Sequence, residues 1–202
     1  MTRLIAICGG IGAGKSVVSR ILRSWGYEVY DTDFEARLIM DSDAQIQACI
    51  AEKICREAIV AGNIDRRRLA EEVFKDKRKL LALNEIVHGA VIRNMTTRLR
   101  TEVDRIAFVE TAIPRSSGLI DYVDAVWLVE APIDIRINRV IQRNGLSTSQ
   151  VEDRIKAQKL DETPEPSKPY TIIINDGIHA VLPQLETALA EASNHLSINR
   201  TK

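Results

Sequence analysis

Residues 4–16 read LIAICGGIGAGKS, and this stretch decides the fold. Its apolar residues run without alternation into glycines, which is typical of a strand buried on both faces. From Lys15 the apolar residues recur at helical spacing, and Gly26 ends the predicted helix. Residues 28–30 then predict a second short strand. Strand, tight loop, helix and strand form a βαβ unit, which predicts a parallel sheet with a right-handed crossover.

The glycine-rich segment Gly9–Ser16 matches the pattern G-x-x-x-x-G-K-[ST] in full. Backbone amides can converge on phosphate oxygens only where side chains do not intrude, so glycine is needed at several positions. A helix starting at Lys15 adds its unpaired amides and its dipole. We expect Lys15 to neutralise the β- and γ-phosphates of a nucleotide and the Ser16 hydroxyl to ligate Mg²⁺. The predicted nucleotide-binding positions of the loop are Gly10, Gly12, Ala13, Gly14, Lys15, Ser16 and Val17.

Composition limits the partners that we expect. The 202 residues contain 28 Lys and Arg against 28 Asp and Glu, so no global positive field predicts binding to nucleic acid or to an anionic membrane. No apolar run reaches the roughly 18 residues of a membrane span, and the run before Gly9 is too short for a signal peptide. The three cysteines lack metal-site or disulfide spacing. We therefore expect reduced thiols in a soluble, cytoplasmic protein.

The rest of the chain alternates helical and strand patterns around one long helical stretch. Residues 34–102 show helical spacing, many charges and no convincing strand, so we expect a helical insertion. Three prolines in residues 163–169 predict a mobile or extended connection. The remaining predicted elements are strands at 106–109, 125–129 and 170–174, and helices at about 133–145, 149–160 and from 180 onward.

Acidic residues follow two of the predicted strands. In an extended Asp31-Thr32-Asp33 segment both carboxylates would share one face, so that one accepts a proton from an attacking hydroxyl while the other orients water around Mg²⁺. The alternative is a turn or helix-capping pair. Glu110 ends the strand at 106–109 and is a candidate for the second acidic group near Mg²⁺, or else a solvated strand end.

Three arginines follow the strand at 125–129. Arg136, Arg139 and Arg143 are spaced by three and four residues, so they share a helical face. Such a row can close over a triphosphate and neutralise charge in the transition state. The alternative is an exposed basic face, which is the commoner situation on a lone helix. By the same reasoning, a single histidine such as His88 is more often packed or on the surface than catalytic.

Taken together, these motifs resemble the dephospho-coenzyme A kinase family, and the resemblance covers nearly the whole chain. It rests on GGIGAGKS at 9–16, Asp31-Thr32-Asp33 with Ala36-Arg37, Gly62-Asn63-Ile64-Asp65-Arg66 with Leu69, Val73-Phe74, His88, Arg139, Arg143, Gln158 and Asn175-Asp176-Gly177.

The resemblance implies a three-layer α/β P-loop kinase fold and the phosphorylation of the ribose 3′-hydroxyl of dephospho-CoA by MgATP. It implies three lobes: a nucleotide core of residues 1–33, 103–137 and 170–195, a helical acceptor lobe of residues 34–102, and a lid of residues 138–169. By their matches to the family pattern, the catalytic residues are Asp33, Lys15 and Arg139. The nucleotide site further includes Arg143 and Asn175, the metal ligands are Ser16, Asp31 and Glu110, and the acceptor-binding residues are Asp33, Arg37, Arg66 and His88.

Several segments depart from the family pattern. The family usually has His-Pro where this chain has His88-Gly89, and its acidic segment after the third core strand is altered at Glu110–Ser116. Val17 replaces a usual threonine, and residues 163–169 replace a more helical lid end. Two alternatives therefore stay open at this stage: a P-loop kinase of another nucleoside-like molecule, or an inactive nucleotide-binding regulatory protein. The cluster Arg66-Arg67-Arg68 either binds acceptor phosphates or merely solvates a helix.

Overall fold

The computed structural model describes residues 2–100, 105–162 and 167–198. The chain divides into two compact units, the first formed by residues 1–30 and 99–202 and the second by residues 31–98. Part of the predicted proline-rich connection, residues 163–166, lies outside the described residues.

The first unit is built on a five-stranded sheet with the strand order β2-β5-β1-β6-β7. The strands are β1 (Arg3–Cys8), β2 (Val29–Asp31), β5 (Ile106–Glu110), β6 (Ala125–Glu130) and β7 (Tyr170–Ile174). The helices of this unit are α1 (Lys15–Ser24), α6 (Ile133–Asn144), α7 (Thr148–Glu162) and α8 (Val181–Ile198). A parallel sheet flanked by helices is the predicted fold class, which is thereby confirmed.

The central strand β1 carries the glycine-rich loop at its carboxyl end. It pairs in parallel with β5 on one side, where Ile7 is level with Glu110, and with β6 on the other, where Cys8 is level with Leu128. Carboxyl ends of parallel strands form the edge at which α/β proteins bind ligands. The sheet therefore places the loop and Glu110 at the same edge.

A continuous apolar layer holds this sheet. The rings of Phe108 and Trp127, both almost fully buried, lie 4.9 Å apart, and Tyr27 meets Phe108 edge-on at 5.5 Å. Truncating a buried aromatic side chain to alanine typically costs about 3–5 kcal/mol. Packing of β1, β5 and β6 against α1 and α8 thus fixes the strand end from which the loop departs.

Helix α1 follows directly from the residue pattern after the loop. Val18 and Leu22 are buried at helical spacing together with Ser19, while Arg20, Arg23 and Ser24 are exposed. Gly26 adopts φ +88° just past the helix end and donates its amide to the carbonyl of Arg23, while the amide of Tyr27 reaches back to Leu22. This is the glycine-dependent helix ending that the sequence predicted.

The second unit is mainly helical, with α2 (Thr32–Ser42), α3 (Ala44–Lys53), α4 (Arg66–Lys75) and most of α5 (Lys77–Leu99). The prediction that it holds no strand was wrong, because β3 (Ile59–Val60) and β4 (Asn63–Ile64) pair as a hairpin. The turn residues Ala61 and Gly62 both have positive φ, as a two-residue hairpin turn requires. Two-residue strands are too short to show an alternating pattern.

Candidate active site

The loop Gly9–Ser16 packs tightly against β6, α6 and the segment after β7. Gly12 has φ +80°, and a Cβ there would lie 2.5 Å from the carbonyl oxygen of Arg136. Gly14 has φ +105°, and a Cβ there would collide with the side-chain amide of Asn175. Both positions therefore need glycine for backbone conformation and for space.

Lys15 lies half-buried at the start of α1, and its ammonium group is held inside the loop. The Nζ atom donates to the carbonyl oxygen of Gly9 at 2.7 Å and to that of Gly10 at 3.4 Å. Two carbonyls of the loop thus lie around the cation. The charge therefore lies within the loop whose amides the sequence assigns to phosphate oxygens.

Three consecutive carbonyls of the loop accept hydrogen bonds from side chains. Arg136 Nε donates to Ile11 at 3.0 Å, an Arg139 guanidinium nitrogen to Gly12 at 3.4 Å, and Asn175 Nδ2 to Ala13 at 2.8 Å. In a trans peptide the carbonyl points opposite to the next amide, so these contacts turn the amides of Gly12 and Gly14 away from the donors. Within the part of the chain that the structure describes, neither amide has a protein acceptor.

The three arginines of α6 do not behave alike. Arg136 is buried and Arg139 half-buried, and both contact the loop, whereas Arg143 is exposed and bonds the neighbouring Asn144. The alternative of a wholly exposed basic face is therefore wrong. The helical spacing was read correctly, but the spacing alone does not reveal that the loop covers one end of the face.

The expectation of an extended Asp31-Thr32-Asp33 segment was wrong. Strand β2 ends at Asp31, and α2 begins at Thr32. Asp31 Oδ1 accepts the amides of Asp33 at 3.1 Å and Phe34 at 3.0 Å, so this residue caps the helix as the alternative proposed. Asp33 lies exposed in the first turn of α2. The strand is only three residues long, and an aspartate followed by helix-forming residues ends it.

The acidic residue Glu110 is half-buried at the end of β5, beside the end of β1. Among the described residues no group of three or more His, Cys, Asp or Glu side chains is arranged to hold a metal ion by itself. Mg²⁺ commonly uses only one or two protein oxygens and takes its remaining ligands from phosphates and water. Each of the predicted metal ligands, Ser16, Asp31 and Glu110, carries a hard oxygen donor of the kind that Mg²⁺ prefers.

The second unit brings two of the predicted acceptor residues together. Arg66, at the start of α4, forms a 2.6 Å ion pair with Asp41 and approaches the main-chain oxygen of Arg37 at 3.4 Å. Arg37 itself is exposed on α2. His88 lies half-buried in the middle of α5. Asp65 caps α4, as the sequence indicated.

A cavity of about 390 Å³ adjoins the loop and the ends of β6 and β7. Gly10, Glu130, Pro132 and Arg136 line it together with Asp176. The amides of His179 and Ile178 donate to Asp176, and with the His179 side chain they hold the pKa of this carboxyl well below its usual range. Asp176 therefore keeps its negative charge at neutral pH.

The comparisons with known proteins agree on one family. The family model for dephospho-CoA kinase matches residues 3–179. A Bacteroides fragilis protein named dephospho-CoA kinase is 32% identical over 187 residues, which is 92% of this chain and 91% of that protein. A Thermus thermophilus protein of the same name is 33% identical over 189 residues, covering 93% and 91% of the two chains.

The chain belongs to the dephospho-CoA kinase family. A crystal structure of a protein from Thermus thermophilus superposes with a TM-score of 0.73 at 32% sequence identity, covering 96% of this chain and 98% of that one. The sequence-based identification of the family is confirmed. Family membership also disfavours the two alternatives that the altered segments had left open.

Dephospho-CoA kinase family membership does not by itself explain every contact at the loop. Gln158 of α7 accepts the amide of Ile11 through Oε1 at 2.8 Å. The sequence singled out this glutamine only as part of the resemblance, without a role. Arg136 was considered only as one of a row of arginines. Both contacts span more than 120 residues, so no local pattern could reveal them.

The structure also describes the cysteines and the length and apolar character of the helices in this dephospho-CoA kinase family member. The three cysteines, Cys8, Cys49 and Cys55, are free thiols, as predicted. In the described part of the chain, no helix is both long and apolar enough to cross a membrane.

Proposed function

We propose that the protein transfers the γ-phosphoryl group of ATP to the ribose 3′-hydroxyl of dephospho-CoA, giving coenzyme A and ADP. The observation that carries this proposal is the phosphate loop whose amides are presented by side-chain contacts, in a chain whose residues 3–179 match the dephospho-CoA kinase family. Its relatives carry the name dephospho-CoA kinase.

The phosphoryl group carries negative charge that must be neutralised as it moves. Lys15 and Arg139 are the catalytic cations in this proposal, because both bind main-chain oxygens of the phosphate loop. Exchange of these carbonyl contacts for phosphate oxygens would give charge-assisted hydrogen bonds. Such preorganised cations stabilise the transition state more than the ground state.

Asp33 is the proposed general base. As the 3′-oxygen bonds to the γ-phosphorus and the bond to the ADP oxygen breaks, the hydroxyl proton passes to the Asp33 carboxylate. Its exposed position in the first turn of α2 leaves the carboxylate accessible to a substrate. Asp31 is tied to the helix cap through one oxygen, so it is the less suited of the two to accept that proton.

Mg²⁺ would be held by Ser16, Asp31 and Glu110, directly or through water, together with the ATP phosphates. Its chemistry is to neutralise charge on the β- and γ-phosphates. We assign Val17, Arg143 and Asn175 to the nucleotide site as well. Asn175 acts there through its contact with Ala13, and Arg143 is exposed and available to a nucleotide.

The acceptor is assigned to the helical second unit. Arg37 and Arg66 are the proposed source of positive charge for the acceptor's phosphates, and the Arg66 side chain lies 3.4 Å from the main-chain oxygen of Arg37. His88 is assigned to the same acceptor site. Residues 34–102 form the proposed acceptor lobe and residues 138–169 the proposed lid, with the remaining core binding ATP. The protein is proposed to act in the cytoplasm on small molecules, without nucleic acid or membrane partners.

The test is ATP consumption by the purified protein with Mg²⁺, with and without dephospho-CoA, coupled to mass detection of the product. ADP and a product one phosphoryl group heavier than dephospho-CoA should form only when both substrates are present. Asp33→Asn should bind ATP as the wild type does and lose at least about a hundredfold in turnover. Asp121→Asn, an exposed aspartate near β6, is the matched control. Full turnover by Asp33→Asn would overturn the assignment of the base.

A further inference from the structure

Arg136 is a buried arginine whose charge the proposed reaction does not use. Only 6% of its surface is exposed, and its Nε donates to the Ile11 carbonyl at 3.0 Å. The main chain of α6 also abuts the loop at this residue, since a Cβ on Gly12 would lie 2.5 Å from the Arg136 oxygen and 2.9 Å from its Cα. The helix and the loop are thus in main-chain contact where the arginine binds.

Both main-chain groups of Ile11 are engaged by side chains from different helices. Its amide donates to Gln158 Oε1 at 2.8 Å, and its carbonyl accepts from Arg136. Burying a guanidinium is costly unless it is hydrogen-bonded, so the hydrogen bond to the Ile11 carbonyl offsets part of the cost of burying Arg136. Hydrogen bonds from charged donors are also the stronger ones.

The contact between Arg136 and the Ile11 carbonyl also determines the direction of the Gly12 amide. The Ile11 carbonyl and the Gly12 amide belong to one trans peptide and point in opposite directions. Holding the carbonyl against α6 therefore fixes the amide on the side away from α6. Glycine tolerates both signs of φ, so without this contact the peptide plane would be free to rotate.

We propose that Arg136 is a positioning residue of the phosphate site, which aims the Gly12 amide at the phosphate chain of ATP by holding the Ile11 carbonyl. This deepens the proposed function and rests on its assignment of ATP to the loop. A donor fixed in advance costs no reorganisation when the phosphates bind. The role belongs to the N–H group at the ε position, and the net charge of the side chain is secondary.

Three substitutions separate the hydrogen bond from the charge. In Arg136→Gln the side-chain nitrogen falls at the same number of bonds from Cα as Nε, so the donor is retained and the charge is lost. In Arg136→Lys the charge is retained and the donor is displaced by one atom. Arg136→Met loses both. Arg78→Met, which removes an exposed arginine on α5, is the matched control.

The measurements are KM for ATP, KM for the acceptor, and the affinity for inorganic tripolyphosphate by calorimetry. The Met variant should raise KM for ATP and weaken tripolyphosphate binding by about tenfold, with KM for the acceptor unchanged. In the Gln variant, KM for ATP and the tripolyphosphate affinity should stay within about threefold of the wild-type values. The Lys variant should bind tripolyphosphate more weakly than the Gln variant. If the Met variant does not fold, the order of Gln and Lys still decides the question.

If the Lys variant bound tripolyphosphate more tightly than the Gln variant, the charge of the side chain would matter more than the position of its donor. That result would overturn the positioning role. A merely structural role would raise KM for ATP and KM for the acceptor equally, or lower turnover only in proportion to the fraction of folded protein. Either result would also overturn the positioning role. Tripolyphosphate binding requires no acceptor. A wild type that binds tripolyphosphate but does not phosphorylate dephospho-CoA would contradict the proposed function, while the comparison of variants would still test Arg136.

Discussion

The side-chain amide of Asn175 donates a 2.8 Å hydrogen bond to the carbonyl oxygen of Ala13, 162 residues earlier in the chain. The same amide fills the space that a Cβ on Gly14 would need. The segment after β7 therefore packs against the phosphate loop through Asn175. Because the Ala13 carbonyl points towards Asn175, the Gly14 amide of the same peptide points away from it. A change at either residue should disturb phosphate binding.

Gly14→Ala should abolish or strongly weaken ATP binding, because the methyl group would displace Asn175 and the residue has φ +105°. Gly145→Ala is the control, since Gly145 also has positive φ but no atom lies within 4 Å of its would-be Cβ. Both variants should lose about 1 kcal/mol of unfolding free energy from backbone strain. Only Gly14→Ala should lose more than about tenfold in ATP affinity, measured by calorimetry. Equal ATP affinities in the two variants would rule out the supporting role of Asn175.

Substitutions at Asp31 should distinguish its role as a helix cap from its proposed role in holding Mg²⁺. Asparagine is as good a helix cap as aspartate, so Asp31→Asn should leave the free energy of unfolding nearly unchanged, whereas Asp31→Ala should lower it by about 1 kcal/mol. If Asp31 also helps to hold Mg²⁺, both variants should raise the Mg²⁺ concentration that gives half-maximal activity. Chemical denaturation and a Mg²⁺ titration of activity provide the two readouts. An unchanged Mg²⁺ requirement in both variants would leave Asp31 with the capping role alone.

Arg139→Met should lower kcat by roughly a hundredfold or more, since the residue is assigned to charge on the transferring phosphoryl group. The affinity for ADP, measured by calorimetry, should fall far less than kcat. Arg78→Met should match the wild type in both measurements. An Arg139→Met enzyme with normal kcat would contradict a catalytic role for this arginine and leave it only its contact with Gly12.

Asp176 should make stability depend on pH in the acid range. Because its pKa is lower in the folded than in the unfolded chain, the charged carboxylate stabilises the fold above its unfolded pKa of about 4. This contribution is lost as the pH falls towards the folded pKa. The wild type should therefore exceed Asp176→Asn in urea midpoint at pH 6, and the difference should shrink between about pH 4 and pH 2. If the difference in urea midpoint stayed constant with pH, the charge of Asp176 would not contribute to stability.

The fold could be predicted from the sequence because its decisive signals are local. One continuous segment contains all three of these signals: the apolar run 4–8, the glycines of the loop and the helical spacing after Lys15. Each of them indicates the same βαβ arrangement. The helix ending at Gly26 follows in the same way from a single residue type. Tertiary packing then confirms elements that were already locally determined.

The support of the loop could not be predicted, because it depends on contacts between distant residues. Nothing near Arg136 in the sequence shows that the carbonyl of Ile11 will lie against it, and nothing near Gln158 shows that it will accept the amide of Ile11. The misreading of Asp31 has a different cause. Its residue pattern allowed either an extended strand or a cap, and only the early start of α2 decides between them.

The most direct test of the proposed reaction is the position of the transferred phosphate. Wild-type protein would be incubated with MgATP and dephospho-CoA, and the product would be examined by phosphorus–proton correlation NMR. A new phosphomonoester coupled to the ribose H3′ proton, absent when Asp33→Asn replaces the wild type, is the predicted result. ATP binding without any new phosphomonoester, or a phosphate coupled to a different proton of the acceptor, would contradict the assignment of this chain as a kinase of the 3′-hydroxyl.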